Sequence, residues 1–227
     1  DRSRKHIITI DGPAGAGKST IAKMLSRKLG FMLLDTGALY RVMALHLIRL
    51  GIKPDSPKIS EDVLQPDLKM RPDIASMILF LGSEDVTDLI RQEEIGVAAS
   101  KFSVLPEVRR ALLGFQRHAA TKWDLIAEGR DMGTVVFPDA QVKFFLTAEV
   151  EERSRRRFNE LLARGERPDF QKVLTEMRER DERDMSRKEA PLVQAPDAIL
   201  IDSTNLEPEE VIIRMVSHLE SVCMYIP

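Results

Sequence analysis

A single stretch near the start of the chain restricts the possible folds more than any other feature. Residues 12–19 read GPAGAGKS and fit the pattern G-x-x-x-x-G-K-[ST]. The stretch follows a β-branched run at 6–11 and precedes apolar residues with helical spacing at 19–29. In this strand–loop–helix context the pattern is typical of a phosphate-binding loop, because its glycines let backbone amides point at phosphate oxygens. The pattern therefore predicts an α/β fold with an anion site where the first strand ends.

The residues of this loop have separate expected roles. Lys18 supplies a point charge to the β- and γ-phosphates of a nucleotide, and the Ser19 hydroxyl is a candidate Mg²⁺ ligand. The glycine order differs from G-x-G-x-x-G, which disfavours a dinucleotide-binding fold. The residues expected to hold the nucleotide phosphates are Gly12, Pro13, Ala14, Gly15, Ala16, Gly17, Lys18, Ser19 and Thr20.

A second nucleotide-related pattern is interpreted as accidental. Residues 121–124 read TKWD and match the guanine-reading pattern [NT]-K-x-D of GTPases. In a GTPase that pattern follows a strand, whereas here it precedes the strand pattern at 124–128. It therefore gives no reason to expect guanine recognition.

Composition excludes several classes of protein. With 227 residues, 43% of them hydrophobic, the chain can form one large domain, or one domain plus an insert. A formal net charge of -2 gives no basic footprint for nucleic acid polymers or for an anionic membrane. No apolar run approaches the roughly 18 residues that span a bilayer, and the four histidines lack metal-ligand spacing. Residues 1–6 do not resemble a signal peptide and the single cysteine, Cys223, forms no internal disulfide, so we expect a cytoplasmic enzyme.

Strand and helix patterns alternate along the chain, which is typical of a parallel sheet covered by helices. Residues 52–88 interrupt this alternation with four prolines and short strand-like pieces. We therefore expect a core formed by 1–51 and 89–227 and a small antiparallel insert at 52–88. Further core strands are expected at 31–34, 124–128, 142–146 and 198–201, further helices at 38–50, 89–100, 106–120 and 208–222, and insert strands at 67–71, 76–81 and 85–87.

Hydroxyl and charged side chains follow the second and third core strands. Thr36 is placed to cap the next helix, and Arg41 lies about one and a half turns further on. Glu128, Arg130 and Asp131 crowd the turn after the third core strand. Because ligands of open α/β sheets bind beyond the carboxyl ends of the strands, Thr36 and Arg41 predict a second phosphate site that faces the phosphate-binding loop. A plain solvent-exposed turn would rarely carry the charges found at 128–131, so we expect that turn to have a function as well.

The densely charged stretch at 149–188 has helical spacing and a break at 165–168. It has two arginine-bearing faces. One carries Arg153, Arg156 and Arg157, and the other carries Arg180, Asp184 and Arg187. On an isolated helix such faces are usually solvated, but beside a phosphate-binding loop they favour phosphate clamps. The break predicts the hinges of a lid, at about 149–170, that closes over ATP. A phosphate acceptor is already ionised near neutral pH and needs cations more than a general base, so the arginines favour a phosphate acceptor over a hydroxyl acceptor.

Three longer stretches give the sequence a resemblance to one family. They read DTGALYR at 35–41, GRDMGTVVFPDA at 129–140, and RDERD at 180–184 leading to APL at 190–192. The chain closely resembles bacterial cytidylate (CMP/dCMP) kinases, of the nucleoside monophosphate kinase group, over nearly its whole length. The resemblance implies a P-loop NTPase fold of three layers, with a five-stranded parallel sheet in the order 2-3-1-4-5, an NMP-binding insert and a helical lid.

The resemblance also implies an activity and its residues. The activity is direct in-line transfer of the γ-phosphoryl group of ATP to CMP or dCMP, with Mg²⁺ as cofactor. Thr36 and Arg41 are implied to hold the acceptor phosphate, Ser100 to contact cytosine, and Arg153 and Arg157 to reach ATP from the lid. The full set implied to bind the acceptor nucleotide is Thr36, Arg41, Ser100, Arg109, Arg130, Asp131, Arg180, Asp184 and Arg187, and the set implied in catalysis is Lys18, Arg130, Asp131 and Arg180.

The chain departs from the family pattern at three positions. Ser19 stands where many members have glycine, Thr36 where many have serine, and Glu128 where aspartate is common. Ser19 gives this chain the regular P-loop hydroxyl, so we expect its metal shell to differ.

Two other functions stay open at this point. One is a P-loop kinase with a small hydroxyl acceptor, such as shikimate or a coenzyme A precursor. The other is a sensor module that binds nucleotides without turnover, against which the intact Lys18 and the arginine set argue. Nothing in the sequence suggests an obligate interface, so we expect a monomer that binds ATP and CMP or dCMP and neither nucleic acid polymers nor membranes.

Overall fold

The structure, a computed structural model, describes residues 5–56 and 59–222. Cys223, and with it the disulfide argument, lies outside the described residues. The strands of the described chain are β1 (Ile7–Asp11), β2 (Met32–Asp35), β3 (Leu68–Asp73), β4 (Ser76–Leu81), β5 (Glu84–Asp85), β6 (Leu125–Gly129), β7 (Val142–Thr147) and β8 (Ile199–Asp202). Its helices are α1 (Lys18–Leu29), α2 (Thr36–Arg49), α3 (Glu93–Phe102), α4 (Pro106–Ala119), α5 (Val150–Ala163), α6 (Phe170–Ser186) and α7 (Pro208–Ser221).

Five of the strands form one parallel sheet in the order β2-β6-β1-β7-β8. Numbered among themselves these strands run 2-3-1-4-5, so the predicted order is confirmed. The register pairs Asp11 at the end of β1 with Gly129 of β6, and Asp35 of β2 with Glu128. The loops that follow these three strands therefore leave the sheet side by side.

The sheet is covered on both faces, as the alternating pattern predicted. On one face, the apolar stripe of α1 (Ile21, Leu25) and α7 (Met215) packs against Ile8 and Ile10 of β1. On the other face, α2, α3 and α4 form a second cluster with the inward side chains of β6 and of the insert. Since strands buried on both faces can be apolar throughout, the continuous β-branched run in β1 fits its central place. None of the helices in the described part of the chain is long and apolar enough to cross a bilayer.

The interrupted segment forms a separate three-stranded antiparallel sheet in the order β3-β4-β5. Gly82, with φ 65°, lies in the turn between β4 and β5. Leu79 is fully buried and joins this small sheet to the apolar cluster under α2. This small sheet is thus packed against α2 and its neighbours.

One helix prediction was wrong, because the segment predicted as a continuous helix is interrupted. The sequence predicted a helix over 89–100, but a short 3₁₀ turn (Leu89–Arg91) ends at Gln92, whose extended ψ of 145° precedes α3. The guanidinium of Arg41 explains the break, because its Nη1 donates to the carbonyls of Ile90 at 2.8 Å and Gln92 at 3.2 Å. The Ile90 carbonyl, which a continuous helix would use internally, is thus turned toward a side chain from α2, while the Gln92 carbonyl also accepts from the Gly96 amide at 3.1 Å and opens α3.

The cap of α2 also differs from the prediction. Asp35, not Thr36, is the N-cap, and its carboxylate accepts from the Ala38 amide at 3.0 Å. Thr36 is the first helical residue, and its hydroxyl donates to the Glu128 carbonyl at 2.7 Å. Aspartate and threonine both cap helices well, and the extended backbone of Asp35 decides between them. Thr36 consequently ties α2 to the end of β6.

Candidate active site

The phosphate-binding loop can be formed only by glycine at its first position. Gly12 has φ 150°, and a Cβ there would lie 1.9 Å from the Leu146 carbonyl oxygen on β7. Gly17 has φ 96° and is the left-handed residue from which α1 begins. The loop therefore curls tightly over the end of the sheet and directs the start of α1, with its free amides, toward the space above.

Lys18 is buried inside this loop. Its ammonium group donates to the Pro13 carbonyl at 2.7 Å. Burial lowers its pKa well below the usual value, and Arg130 and Arg180 lower it further while Glu128 opposes them. Cations that disfavour one another in this way mark a place where an anion would be stabilised.

A cavity faces the loop across the ends of β2 and β6. Its volume is about 70 Å³, and it is open to solvent on one side. Its lining includes all nine side chains that the sequence implied for the acceptor: Thr36, Arg41, Ser100, Arg109, Arg130, Asp131, Arg180, Asp184 and Arg187. Residues from five separate parts of the chain are thus brought to one site.

Two buried ion pairs fix the cations of this cavity. Arg109 donates to Asp131 at 2.5 Å, and Arg130 donates through Nε to Asp184 at 2.8 Å. Burial acts to raise the pKa of Asp184, but Arg130, Arg180 and Arg187 outweigh it and hold the pKa below the usual range. Asp184 is therefore an ionised carboxylate that keeps the arginines in place.

Several buried polar atoms of the cavity have no hydrogen-bond partner among residues 5–56 and 59–222. They are Ser100 Oγ, Arg180 Nε, and Arg187 Nε and Nη2. Burial, then Arg130, lower the pKa of Arg180 to about 10. Because an unpaired buried donor costs roughly 1–3 kcal/mol, such a cluster is typical of a site that awaits a polar ligand.

Arg41 reaches the cavity along α3. A Cβ at Gly96 would lie 2.6 Å from its Nη2, so a larger residue there would push the guanidinium away from its present position. The sequence analysis missed Gly96, although a glycine inside an otherwise helical pattern was a signal for a close approach.

The two arginines expected to reach ATP from the lid already have protein partners. Arg153 is buried, pairs with Asp181 through two hydrogen bonds of 3.0 and 2.6 Å, and donates to the Ala14 carbonyl at 3.1 Å. Arg157 pairs with Glu93 on α3 and with Glu160 at 2.9 Å. Both lie on α5, before the break that the structure has between α5 and α6 at 164–169.

Asp11, which the sequence analysis also missed, links the two halves of the site. It ends β1 directly before the loop, and its carboxylate accepts from the amides of Met132 at 2.8 Å and Gly133 at 2.7 Å. These amides belong to the turn that carries Arg130 and Asp131. Burial raises the pKa of Asp11 to about 6, against the effect of the two amide hydrogen bonds. An acidic residue at a strand end before a P-loop was the only sequence signal.

Glu128 lies between the loop and the cavity. Burial, followed by the nearby Asp35, raises its pKa to about 7, while Lys18 and the Ser19 hydroxyl lower it. Its Oε1 is buried without a partner in the described part of the chain. No cluster of three metal-ligating side chains occurs in that part either, but Mg²⁺ usually takes one or two protein oxygens besides water and phosphate. The Ser19 hydroxyl and the Glu128 carboxylate fit that requirement.

This geometry first defines a class. A parallel sheet in the order 2-3-1-4-5, with a phosphate-binding loop after its first strand, is a P-loop NTPase fold. A solved structure of an uncharacterized protein from Eubacterium ventriosum has the same fold, with a TM-score of 0.52 at 14% identity over 96% of this chain and 99% of that one.

The family follows from sequence comparison. The family model for cytidylate kinase matches residues 8–221. A cytidylate kinase from Mannheimia succiniciproducens is 49% identical over 94% of this chain and 95% of its own. One from Aeromonas salmonicida is 47% identical over 94% of both chains. The chain belongs to the cytidylate kinase family.

Proposed function

We propose that this protein transfers the γ-phosphoryl group of ATP to CMP and dCMP, forming CDP and dCDP. The observation that carries the proposal is the cavity whose buried arginine and serine atoms have no partner within the described residues. It faces a phosphate-binding loop across a common sheet edge, so an acceptor in the cavity and a donor in the loop would meet.

The acceptor phosphate would bind among Arg41, Arg130 and Arg180 near Thr36. A phosphate is already an oxyanion, so it needs no general base, and this fits a site rich in guanidinium groups. During in-line transfer Lys18, Arg130 and Arg180 would neutralise the charge on the moving group, and no covalent enzyme intermediate forms.

The cytosine base would be recognised at the other end of the cavity. Ser100, Arg109, Asp131 and Arg187 offer donors and acceptors there, and two of them have unpaired atoms within the described chain. Asp184 would hold Arg130 in place and would also bind the sugar hydroxyls. A base with the wrong polar edge leaves such groups unpaired, which discriminates by roughly a hundredfold or more.

Mg²⁺ would be held by Ser19, with Glu128 as a further oxygen donor, and it would supply positive charge to the phosphates when bound. The segment at about 149–170 is proposed as a lid over ATP, and 52–88 as the insert that closes on the acceptor. Closure would exclude water, which otherwise hydrolyses ATP. A monomer in the cytoplasm, where ATP and CMP are found, completes the proposal.

ADP release with ATP and Mg²⁺ tests the function. CMP, dCMP, UMP, AMP, GMP, shikimate and no acceptor are presented in parallel. We expect strong turnover with CMP and dCMP, weak turnover with UMP, and none with the others. The proposal would be overturned if shikimate were the only acceptor that supported turnover. It would also be overturned if no nucleotide acceptor supported turnover although the protein still bound ATP.

A further inference from the structure

Ser203, which directly follows the last strand of the core sheet, has no role in the function proposed above. It is 3% exposed, and its amide donates to the Thr147 carbonyl at 2.8 Å, so the pairing of β7 with β8 fixes its place at the sheet edge. Its Oγ lies 3.0 Å from the carbonyl oxygen of Ala16 and 3.0 Å from that of Thr147. Since Ala16 belongs to the phosphate-binding loop, a buried hydroxyl from the end of β8 contacts the loop backbone.

The hydroxyl of Ser203 can donate to only one of these two carbonyls. A hydroxyl carries one proton, and the Thr147 carbonyl already accepts from the Ser203 amide. We therefore assign the proton to the bond with Ala16. This bond holds the carbonyl of a buried residue whose peptide group continues into Gly17.

The peptide group between Ala16 and Gly17 needs such a partner. Gly17 has φ 96°, and a Cβ built there would have no neighbour within 4 Å, so local sterics restrain this peptide plane weakly. A trans peptide is planar, and its C=O and N–H groups point in opposite directions. Holding the Ala16 carbonyl toward Ser203 therefore directs the Gly17 amide to the opposite side of the loop backbone.

Arg156, on α5, holds Ser203 in turn. Its Nη2 donates to the Ser203 carbonyl at 2.6 Å, and its Nη1 donates to Oγ at 3.2 Å. Nη1 also lies 3.5 Å from the Ala16 carbonyl oxygen. A hydrogen bond from a cation polarises the hydroxyl and strengthens the bond that the hydroxyl itself donates. Arg156 lies on the helix face that the sequence analysis expected to clamp phosphate, and these contacts connect its guanidinium to the backbone of the loop.

We propose that Ser203 and Arg156 are positioning residues for the phosphate-binding loop. Ser203 holds the Ala16 carbonyl, which aims the Gly17 amide at the phosphates of the donor, and Arg156 holds and polarises the Ser203 hydroxyl. Neither side chain touches the nucleotide in this role. An amide that is aimed before the ligand arrives binds it without a cost of ordering. The inference rests on the donor half of the proposed function, because it takes the loop as the site of the ATP phosphates.

The test compares Ser203→Ala and Arg156→Met with the wild type. Kd is measured by calorimetry for ATP and for inorganic tripolyphosphate, which has the phosphates without the nucleoside. Saturating CMP fills the acceptor cavity, and EDTA removes the metal so that no transfer occurs. We expect both Kd values to rise by the same factor, about fivefold in each variant, since that is the usual effect of one hydrogen bond. Kd for CMP is expected to stay within twofold.

Turnover and the double variant separate positioning from direct contact. The Gly17 amide would bind phosphate in the ground state and in the transition state alike, so the loss should fall on KM for ATP and leave kcat within twofold. If Arg156 acts through Ser203, adding Arg156→Met to Ser203→Ala should raise Kd for ATP by less than twofold more. An arginine that touched the phosphates itself would keep its full effect in that background.

Ser154→Ala is the matched control. Ser154 is a fully buried serine of α5, and its hydroxyl donates to the Val150 carbonyl of the same helix at 2.7 Å. The substitution removes the same group from a similar environment without changing a contact to the loop. It is expected to lower thermal stability and leave Kd for ATP and for tripolyphosphate within twofold. Ser203→Ala removes one oxygen atom only, and it carries the test if Arg156→Met does not fold.

Several outcomes would overturn the inference. An unchanged Kd for tripolyphosphate in Ser203→Ala, or an equal rise in Ser154→Ala, would leave Ser203 with a packing role. A rise for ATP alone would mean that the nucleoside is contacted directly. A wild type that binds ATP but not tripolyphosphate would show that the loop is not preorganised for phosphate. A wild type that binds neither ligand would remove the donor half of the proposed function, and this is visible before any variant is made.

Discussion

The two halves of the site differ in how their charged groups are satisfied. In the acceptor cavity, Arg180 and Arg187 keep buried nitrogen atoms without partners among the described residues. On the donor side, Lys18 donates to Pro13, Arg153 to Ala14 and Asp181, and Arg157 to Glu93 and Glu160. The cavity is ready to receive polar groups, whereas the donor loop is closed by its own contacts.

This difference has consequences for binding. A ligand that enters the cavity gains hydrogen bonds without first breaking many, so the acceptor site is preorganised. If Arg153 and Arg157 bind the nucleotide as we propose, a ligand that enters the loop must displace the ammonium group of Lys18 from a carbonyl and draw these two arginines of α5 away from carboxylates. Substitutions on the donor side should therefore change how readily the loop and its arginines rearrange when ATP binds. Substitutions on the acceptor side should change how well the acceptor nucleotide fits the cavity.

Lys18→Met is expected to give the largest effect. It removes the point charge at the β- and γ-phosphates and leaves a side chain of similar length. We expect kcat to fall about a thousandfold, since loss of one group that stabilises transition-state charge costs that much, while Kd for CMP stays within twofold. Because Lys18 is a buried cation with a lowered pKa, the variant should be at least as stable as the wild type in thermal unfolding. A kcat within tenfold of the wild type would contradict the assignment.

The variants Asp184→Asn and Asp181→Asn make the same substitution at two positions of one helix, and each tests one half of the site. Asp184 holds Arg130 in the cavity, and Asp181 holds Arg153 against the loop. Breaking a buried charge pair costs several kcal/mol, so we expect Asp184→Asn to raise KM for CMP roughly 10–100-fold with a small change for ATP. Asp181→Asn is expected to change KM for ATP and not for CMP. If both variants affected the same substrate, the comparison between the halves would fail.

Much of the fold and the centre of the site could be predicted from the sequence. The loop at 12–19 located Lys18, and the alternation of patterns located every core strand to within two residues. Strand ends that align in the sheet explain why Thr36 and Arg130 meet although they are far apart in the chain. These features depend on short-range patterns and on one general rule about parallel sheets.

The features that were missed depend on tertiary contacts. The break at Gln92 requires a guanidinium that arrives from α2. Asp11 is an ordinary acidic residue until the turn after β6 brings two amides to it. No local pattern encodes such partners, because their spacing in sequence carries no period.

The variant Glu128→Gln tests the protonation of the side chain that lies between the two halves of the site. The quantity measured is the free energy of unfolding. The pKa of Glu128 is raised from 4.5 to about 7, so the folded state binds its proton more tightly than the unfolded state does. The stability that this group contributes is present below pH 4.5 and is lost as pH rises through 7. In urea unfolding without nucleotide or metal, the variant should gain roughly 2–3 kcal/mol relative to the wild type between pH 4.5 and pH 7.5. A difference that does not change with pH would show that Glu128 is not held in its protonated form.

Glu93→Gln is expected to give the smallest effect and to report most directly on the closed donor side. Glu93 is half-exposed and accepts from Arg157, the lid arginine that we propose for ATP. If Arg157 must leave Glu93 to reach a nucleotide, removing the carboxylate charge should lower KM for ATP. Because ion pairs at this exposure contribute less than about 1 kcal/mol, the expected change is about two- to fivefold, and it should shrink as salt is raised. Glu94→Gln makes the same charge change on the next residue, which is exposed, and serves as the control. An equal fall of KM in both variants would reflect net charge alone, and a rise in Glu93→Gln would mean that Glu93 helps ATP to bind rather than competing with it for Arg157.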